Sequence, residues 1–152
     1  MRAVVTRVRS ARVEIGGETA GSIGQGLLIL LGIAPEDTPE LCRRFAEKIL
    51  SLRIFEDENG KMNRGLEAVR GGVLVVSQFT LFGDTVHGRR PSFFGAAAPE
   101  LAIPLYERFL AECAALGFPP QHGQFGADMQ VISQNDGPVT LIMDTEDWKD
   151  AK

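Results

Sequence analysis

The stretch Val73-Leu74-Val75-Val76-Ser77-Gln78-Phe79-Thr80-Leu81 passes from four aliphatic residues into a hydroxyl, an amide, a ring and a second hydroxyl. Behind the pair Gly71-Gly72, residues 73–76 read as a short buried strand, because a continuous apolar run leaves no face for water. The polar residues that follow stand where such a strand ends and its backbone N–H and C=O groups become free to meet a ligand. A second aliphatic run, within residues 27–33, follows the turn Gly24-Gln25-Gly26 and reads as another central strand.

Working outward, residues 2–8 alternate and residues 11–15 continue as a second strand; Gly16-Gly17 signals a hairpin whose return strand covers residues 18–23. Thr38-Pro39-Glu40 opens a helix, with a capping hydroxyl, a proline at the first helical position and an acid at the positive dipole end. Leu41, Phe45, Ile49 and Leu52 mark its apolar face. Asp57-Glu58-Asn59-Gly60 is a turn, and residues 83–98 form a long connection of the kind that often carries function. A second helix carries Leu101, Leu105, Phe109, Cys113 and Leu116 on one face; Pro104 either kinks it or starts it, and Gly117 with Pro119-Pro120 ends it. Residues 129–134 and 139–143 read as two last strands joined by Asn135-Asp136-Gly137-Pro138. The hairpin-length turns predict a single α+β domain with a mostly antiparallel, curled, barrel-like sheet and two main helices.

At 152 residues the chain suits one domain that buries its core without disulfide staples. The unbroken aliphatic run at residues 27–31 is far shorter than a membrane span, and no secretory pattern opens the chain, so a cytoplasmic location is expected. Cys42 and Cys113 fall in register with apolar helix neighbours and read as buried thiols, although a disulfide stays possible. With His87 and His122 as the only histidines and no CxxC or HExxH spacing, neither a metal site nor a cofactor is expected. The net charge of −4 disfavours a nucleic-acid partner overall. Its distribution is uneven: Arg2, Arg7, Arg9 and Arg12 precede the first acid, Glu14, and Arg89-Arg90 sit together, so a local basic patch and a solvated surface both remain open.

Ser77, Thr80 and Thr140 are hydroxyls in strand-like settings, but no nucleophile elbow or neighbouring base distinguishes them from hydroxyls packed on backbone. Gly137-Pro138 is either an ordinary turn or, if its peptide is cis, a rigid device that turns two carbonyls the same way to hold an ammonium group.

The segments SQFTL at residues 77–81 and NDGPVT at residues 135–140 resemble the two signature motifs of the D-aminoacyl-tRNA deacylases. The resemblance runs through RVRSARVEI, GLLILLGI, RIFEDENGKMN, VLVVSQFTL, RRPSF and FGADMQV, leaving outside it only the acidic tail after about Thr145. It implies a deacylase domain over residues 1–145 with an acidic tail at 146–152. It further implies a homodimer that hydrolyses the ester between a D-amino acid and the terminal adenosine of tRNA, and that also removes glycine from mischarged tRNA. On this resemblance Gly137-Pro138 is cis and enters the partner subunit's site as a chirality filter. Ser77, Gln78, Phe79 and Thr80 line the pocket, with the Phe79 N–H facing the developing oxyanion. Arg7 supports the Gly-Pro loop, Met129 lines the adenosine side, and Asn135 and Thr140 belong to the supporting motif.

Hydrolysis assisted by the neighbouring ribose hydroxyl competes with a nucleophilic Thr80; assistance is favoured because no base accompanies Thr80 in the sequence. Arg89 and Arg90, with Lys61 and Arg64 behind them, are candidate contacts for the tRNA end or exposed solubilising charges. His87 has no assigned role. Two alternatives are an editing deacylase for an achiral or small L-amino acid, which the intact SQFTL segment disfavours, and a non-catalytic RNA-binding module on the same scaffold.

Overall fold

A computed structural model describes residues 1–149. The organising element is β1 (Arg2–Ile15), which meets three strands antiparallel. Its first half pairs with β3 (Gly26–Gly32) from Arg2 opposite Gly32 to Val8 opposite Gly26. Its second half pairs with β2 (Glu18–Ile23) from Ala11 opposite Ile23 to Ile15 opposite Glu18. The two strands expected over 2–8 and 11–15 are thus one strand: no glycine or proline interrupts it, and exposed Arg9 and Ser10 merely mark the change of partner.

The antiparallel expectation holds around β1, but the middle of the sheet is parallel. β6 (Gly72–Ser77) lies parallel to β3, with Leu27 opposite Val73 and Leu31 opposite Ser77, and β7 (Gln121–His122) lies parallel to β6. Crossovers through the helices make this possible, since parallel neighbours need a long return path. The first crossover contains α1 (Pro39–Leu50) and the small hairpin β4 (Phe55–Glu56) with β5 (Met62–Arg64); the second contains α2 (Pro99–Ala115).

Both faces of the parallel strands are covered, which is why they read as unbroken aliphatic runs. Leu27, Ile29, Leu31, Val73 and Val75 pack toward the helices with Phe45, Ile49 and Phe109. Leu28, Leu74 and Val76 point the other way and join Val8, Ala11 and Val13 inside the curl. The sheet nearly closes: β7 returns against β2 so tightly that a Cβ on Gly21 would lie 2.9 Å from the His122 carbonyl oxygen.

α1 begins as its sequence predicts, with Thr38 Oγ1 accepting from the Leu41 N–H at 3.3 Å and Pro39 in the first turn. It ends at Leu50, so Leu52 reaches the core from the turn beyond it. α2 opens on Pro99-Glu100, repeating the Pro39-Glu40 signal, and takes Pro104 within its second turn; neither a start nor a break falls there. Cys42 and Cys113 are buried free thiols on the two helices, and Cys42 Sγ donates to the Leu105 carbonyl at 3.4 Å.

The last strand, β8 (Gln130–Asp144), runs along β1 from Gln130 opposite Glu14 to Asp144 opposite Arg2. It replaces the two final strands expected from the sequence. Beyond it, Asp144 Oδ1 caps a short 3₁₀ turn at Thr145–Trp148, and the Trp148 ring packs edge-on against Phe45 with centroids 5.5 Å apart. Trp148 of the expected tail therefore packs on α1, and residues 150–152 lie outside the described part. Among the described residues no helix is long and apolar enough to cross a membrane.

Candidate active site

The end of β6 places the first motif. Gln78 donates its backbone N–H to the Leu31 carbonyl at 2.8 Å, the last rung that ties the motif to β3. A 3₁₀ turn over Phe79–Phe82 follows, closed by Leu81 N–H to the Gln78 carbonyl at 3.2 Å and Gly83 N–H to the Thr80 carbonyl at 3.0 Å. As at any helical start, the first N–H groups lack intrahelical acceptors; those of Phe79 and Thr80 find none among the described residues. Arg2 anchors the far end of the turn, donating through Nη1 to the Leu81 carbonyl at 2.7 Å and stacking over the Phe82 ring.

Beside this turn lies a cavity of about 650 Å³. Ser77, Gln78 and Phe79 form one wall, and Met129 with Phe125 and Asp128 forms another. Ala97, just before α2, with Ala102 and Tyr106 from its first half, forms the floor. Thr80 stands just outside, exposed, with its Oγ1 accepting from Gln78 Nε2. Among the described residues neither histidine lines the cavity, and Asp128 is the one carboxylate that does. Tyr106 donates its hydroxyl to the Val75 carbonyl at 3.2 Å, and burial pushes the phenol up to about 12. Among the described residues no three His, Cys, Asp or Glu side chains gather as a metal site would require.

The second motif forms a separate cluster. Between the rungs Thr6 opposite Thr140 and Val8 opposite Asn135, residues 136–139 of β8 stand opposite Arg7 alone, so they bulge from the ladder. Asn135 staples the neck of this bulge, donating through Nδ2 to Thr140 Oγ1 at 2.8 Å and accepting from the Val139 N–H at 2.9 Å. Arg7, 5% exposed, holds the bulge from below. Its Nε donates to the Asp136 carbonyl at 3.0 Å and its Nη1 to the Ile54 carbonyl at 2.8 Å. The Gly137-Pro138 peptide is cis, Gly137 has a φ of +126°, and both residues are exposed.

The structure thus gathers Ser77, Gln78, Phe79 and Met129 around one cavity, and Arg7, Asn135, Gly137, Pro138 and Thr140 at a bulge that does not line it. Arg89 and Arg90 lie exposed on the 83–98 connection. Sequence reasoning missed Tyr106 and Asp128 as lining residues. The FGADMQV segment, at residues 125–131, carried the one available signal, for Phe125, Asp128 and Met129.

A nearly closed mixed sheet, two helices on its outer face and a cavity walled by a strand end and a 3₁₀ turn define an α+β domain with a candidate ligand pocket at the end of β6. The family described as D-Tyr-tRNA(Tyr) deacylase matches residues 4–144. A D-aminoacyl-tRNA deacylase of Desulfatibacillum aliphaticivorans is 58% identical over 146 residues, spanning 96% of this chain and 100% of its own length. One from Thermus aquaticus is 54% identical, spanning 97% of each chain. Among solved structures, the c-Myc DNA unwinding element binding protein superposes with a TM-score of 0.89 at 43% identity, covering 95% of this chain and 98% of its own. A probable eukaryotic D-amino acid tRNA deacylase shares the fold, with a TM-score of 0.82 at 18% identity over 93% and 97% of the two chains. The chain belongs to the D-Tyr-tRNA(Tyr) deacylase family and, with it, to the hydrolases.

Proposed function

We propose that this protein hydrolyses the ester joining a D-amino acid to the terminal adenosine of tRNA, accepts the achiral glycyl ester, and rejects L-aminoacyl esters. The observation that carries the reading is the separation of the two motif clusters. Gly137 and Pro138 project from a braced bulge yet do not line the cavity of their own chain, so in this reading they complete the cavity of a second copy. A homodimer is supported by β8, which among the described residues pairs only with β1 and exposes Val131 and Ile142, the latter at 77%. A long strand with one open edge and apolar side chains is otherwise a liability for a soluble protein.

In this mechanism the carbonyl oxygens of Gly137 and Pro138 hold the α-ammonium group. An L side chain would be directed at the bulge and a D side chain away from it. Phe79 N–H faces the ester oxygen as negative charge develops, a contribution worth about 3 kcal/mol for one well-placed donor. Ser77 and Gln78 orient the ester, and Met129 borders the adenosine. Among the described residues no histidine or carboxylate bonds to Thr80, whose hydroxyl is engaged by Gln78. The neighbouring ribose hydroxyl therefore assists the attack, and the protein contributes position and N–H donors. A cytoplasmic location belongs to this reading, as that of an enzyme acting on tRNA in translation.

Incubation with D-Tyr-tRNA, Gly-tRNA and L-Ala-tRNA decides the matter. Release from the first two with the third spared is expected. Release of L-alanine would instead make the protein an editing enzyme for small L-amino acids, and binding without release a non-catalytic RNA-binding module.

A further inference from the structure

The connection between the 3₁₀ turn and α2 is a defined loop. Asp84 and Ser92 exchange two backbone hydrogen bonds, of 2.7 and 3.0 Å, and Asp84 Oδ1 accepts from the Val86 N–H at 2.9 Å. Beyond that closed neck the loop carries Arg89 and Arg90, both exposed and in no ion pair among the described residues. Phe93 follows the neck and turns toward the cavity mouth, meeting Phe79 edge to face with centroids 5.2 Å apart; both rings line the cavity and are partly open to solvent. Phe94, the next residue, turns outward and is 97% exposed. Isolated exposed apolar residues need no explanation. This ring, however, adjoins the cavity wall and shares its loop with two unpaired guanidinium groups on a chain of net charge −4.

An exposed ring beside unpaired arginines suits single-stranded RNA. Every base offers a π-face for stacking, and the guanidinium groups answer the phosphates on either side of it. A protein surface would need acids to match the arginines and apolar area to cover the ring, whereas RNA meets both requirements with one nucleotide. We propose that Phe94, with Arg89 and Arg90, forms a subsite for the single-stranded nucleotides that precede the terminal adenosine of the substrate. The inference rests on the deacylase reading and deepens it. The terminal nucleotide enters the cavity past Phe79 and Phe93 while a preceding base stacks on Phe94. Such readout is independent of base identity and of the amino acid, which suits an enzyme that must accept several tRNAs.

The test compares two substrates under single-turnover conditions: D-Tyr-tRNA and the D-tyrosyl ester of adenosine alone, which lacks the preceding nucleotides. Phe94→Ala is expected to lower kcat/KM on the tRNA about 5- to 150-fold, the range for one lost base stack, with the loss in KM. On the adenosine ester it has no effect, and Phe94→Trp restores the tRNA rate. An Arg89→Ala/Arg90→Ala variant is expected to reduce the slope of log affinity against log salt by about 1.4 for single-stranded contacts. Fluorescence anisotropy with an unacylated oligonucleotide bearing a single-stranded 3′ end reads the same subsite without catalysis, and its affinity should fall in Phe94→Ala. An equal loss on both substrates would overturn the proposal by making Phe94 a support of the cavity. An unchanged tRNA rate and anisotropy would also overturn it, as would a shift from dimer to monomer in sedimentation, which would make the ring a subunit contact. If wild-type protein hydrolyses neither substrate, the deacylase reading fails, and the anisotropy still decides the subsite.

Discussion

Arg7 reaches the Asp136 carbonyl oxygen at 3.0 Å from a side chain withdrawn almost wholly from water, and so ties a β1 residue to the one segment of β8 that leaves the ladder. Its other nitrogen spans to the Ile54 carbonyl at 2.8 Å, so one planar group fixes the bulge to the start of the β4–β5 hairpin. An ammonium lacks the fork geometry to make both contacts. Arg7→Lys is therefore expected to behave much like Arg7→Ala. Asp136 keeps Arg9 at 3.4 Å and is partly exposed, so its charge is not stranded. The cost is then that of hydrogen bonds to a charged group, about 2 to 3 kcal/mol, and not the larger penalty of an orphaned buried ion. Urea unfolding of both variants checks this; full stability in Arg7→Lys would show that the fork is unimportant.

Gly137 tests the same bulge from the other side. Its φ of +126° is a conformation L residues rarely adopt, and an added Cβ would lie 2.9 Å from both Arg7 Nη2 and Val139 Cγ2. The Arg7 group cannot simply swing away, because two carbonyls hold it. Gly137→Ala is expected to cost about 2 kcal/mol or more, combining backbone strain with displacement of Arg7. Part of that cost should vanish when Arg7 is already alanine. A double-mutant cycle giving a coupling of at least about 0.5 kcal/mol is expected; strict additivity would mean the two residues act independently.

How much of this was legible in the sequence follows from which forces are local. The runs at residues 27–31 and 73–76 are unbroken because both faces of β3 and β6 are covered, a property that composition records directly. The Thr38-Pro39-Glu40 start was legible because capping is a matter of a few bonds within one turn. Parallel pairing was not, since two residues of β7 suffice to extend the sheet and no pattern so short stands out. The bulge at 136–139 was not, because it exists only relative to the register of β1, and Asn135 and Gly137-Pro138 read as a turn between two strands. Tyr106 escaped for a related reason: it sits beside the Leu105 and Phe109 face of α2, and only the packing of α2 on β6 brings its hydroxyl to Val75.

Thr80 bears on the chemistry most directly. Its hydroxyl accepts from Gln78 Nε2 and, among the described residues, has no histidine or carboxylate partner to take its proton. Thr80→Ala should therefore keep single-turnover deacylation within about tenfold of wild type, equivalent to ~1.4 kcal/mol of barrier. Loss of a true nucleophile would cost several orders of magnitude. A substrate whose terminal ribose lacks the hydroxyl next to the ester should instead be nearly inert. A dead Thr80→Ala enzyme that still binds substrate, with the deoxy substrate cleaved normally, would reverse the assignment.

The buried thiols and phenol predict the alkaline limit of the fold. Burial pushes Cys42 up to about 11 and Cys113 to about 12, from an ordinary value of 9.0, and raises Tyr106 to about 12 from 10.0. All three are neutral when protonated, so an unfolded chain ionises first as pH rises. Below about pH 9 folded and unfolded states bind the same protons at these sites, and stability is unaffected. Between about pH 9 and 12 the folded state retains protons that the unfolded state has lost, so stability must fall with pH, each such proton adding a slope of up to ~1.4 kcal/mol per pH unit. The denaturation midpoint is thus expected to be flat from pH 7 to 8.5 and to decline above 9. A Cys42→Ala/Cys113→Ala variant should decline less steeply, whatever its stability at neutral pH. The same burial predicts that neither thiol reacts with iodoacetamide at pH 8 until denaturant is added. Rapid alkylation of the folded protein, or an alkaline slope unchanged in the double variant, would show that these groups are not the ones titrating.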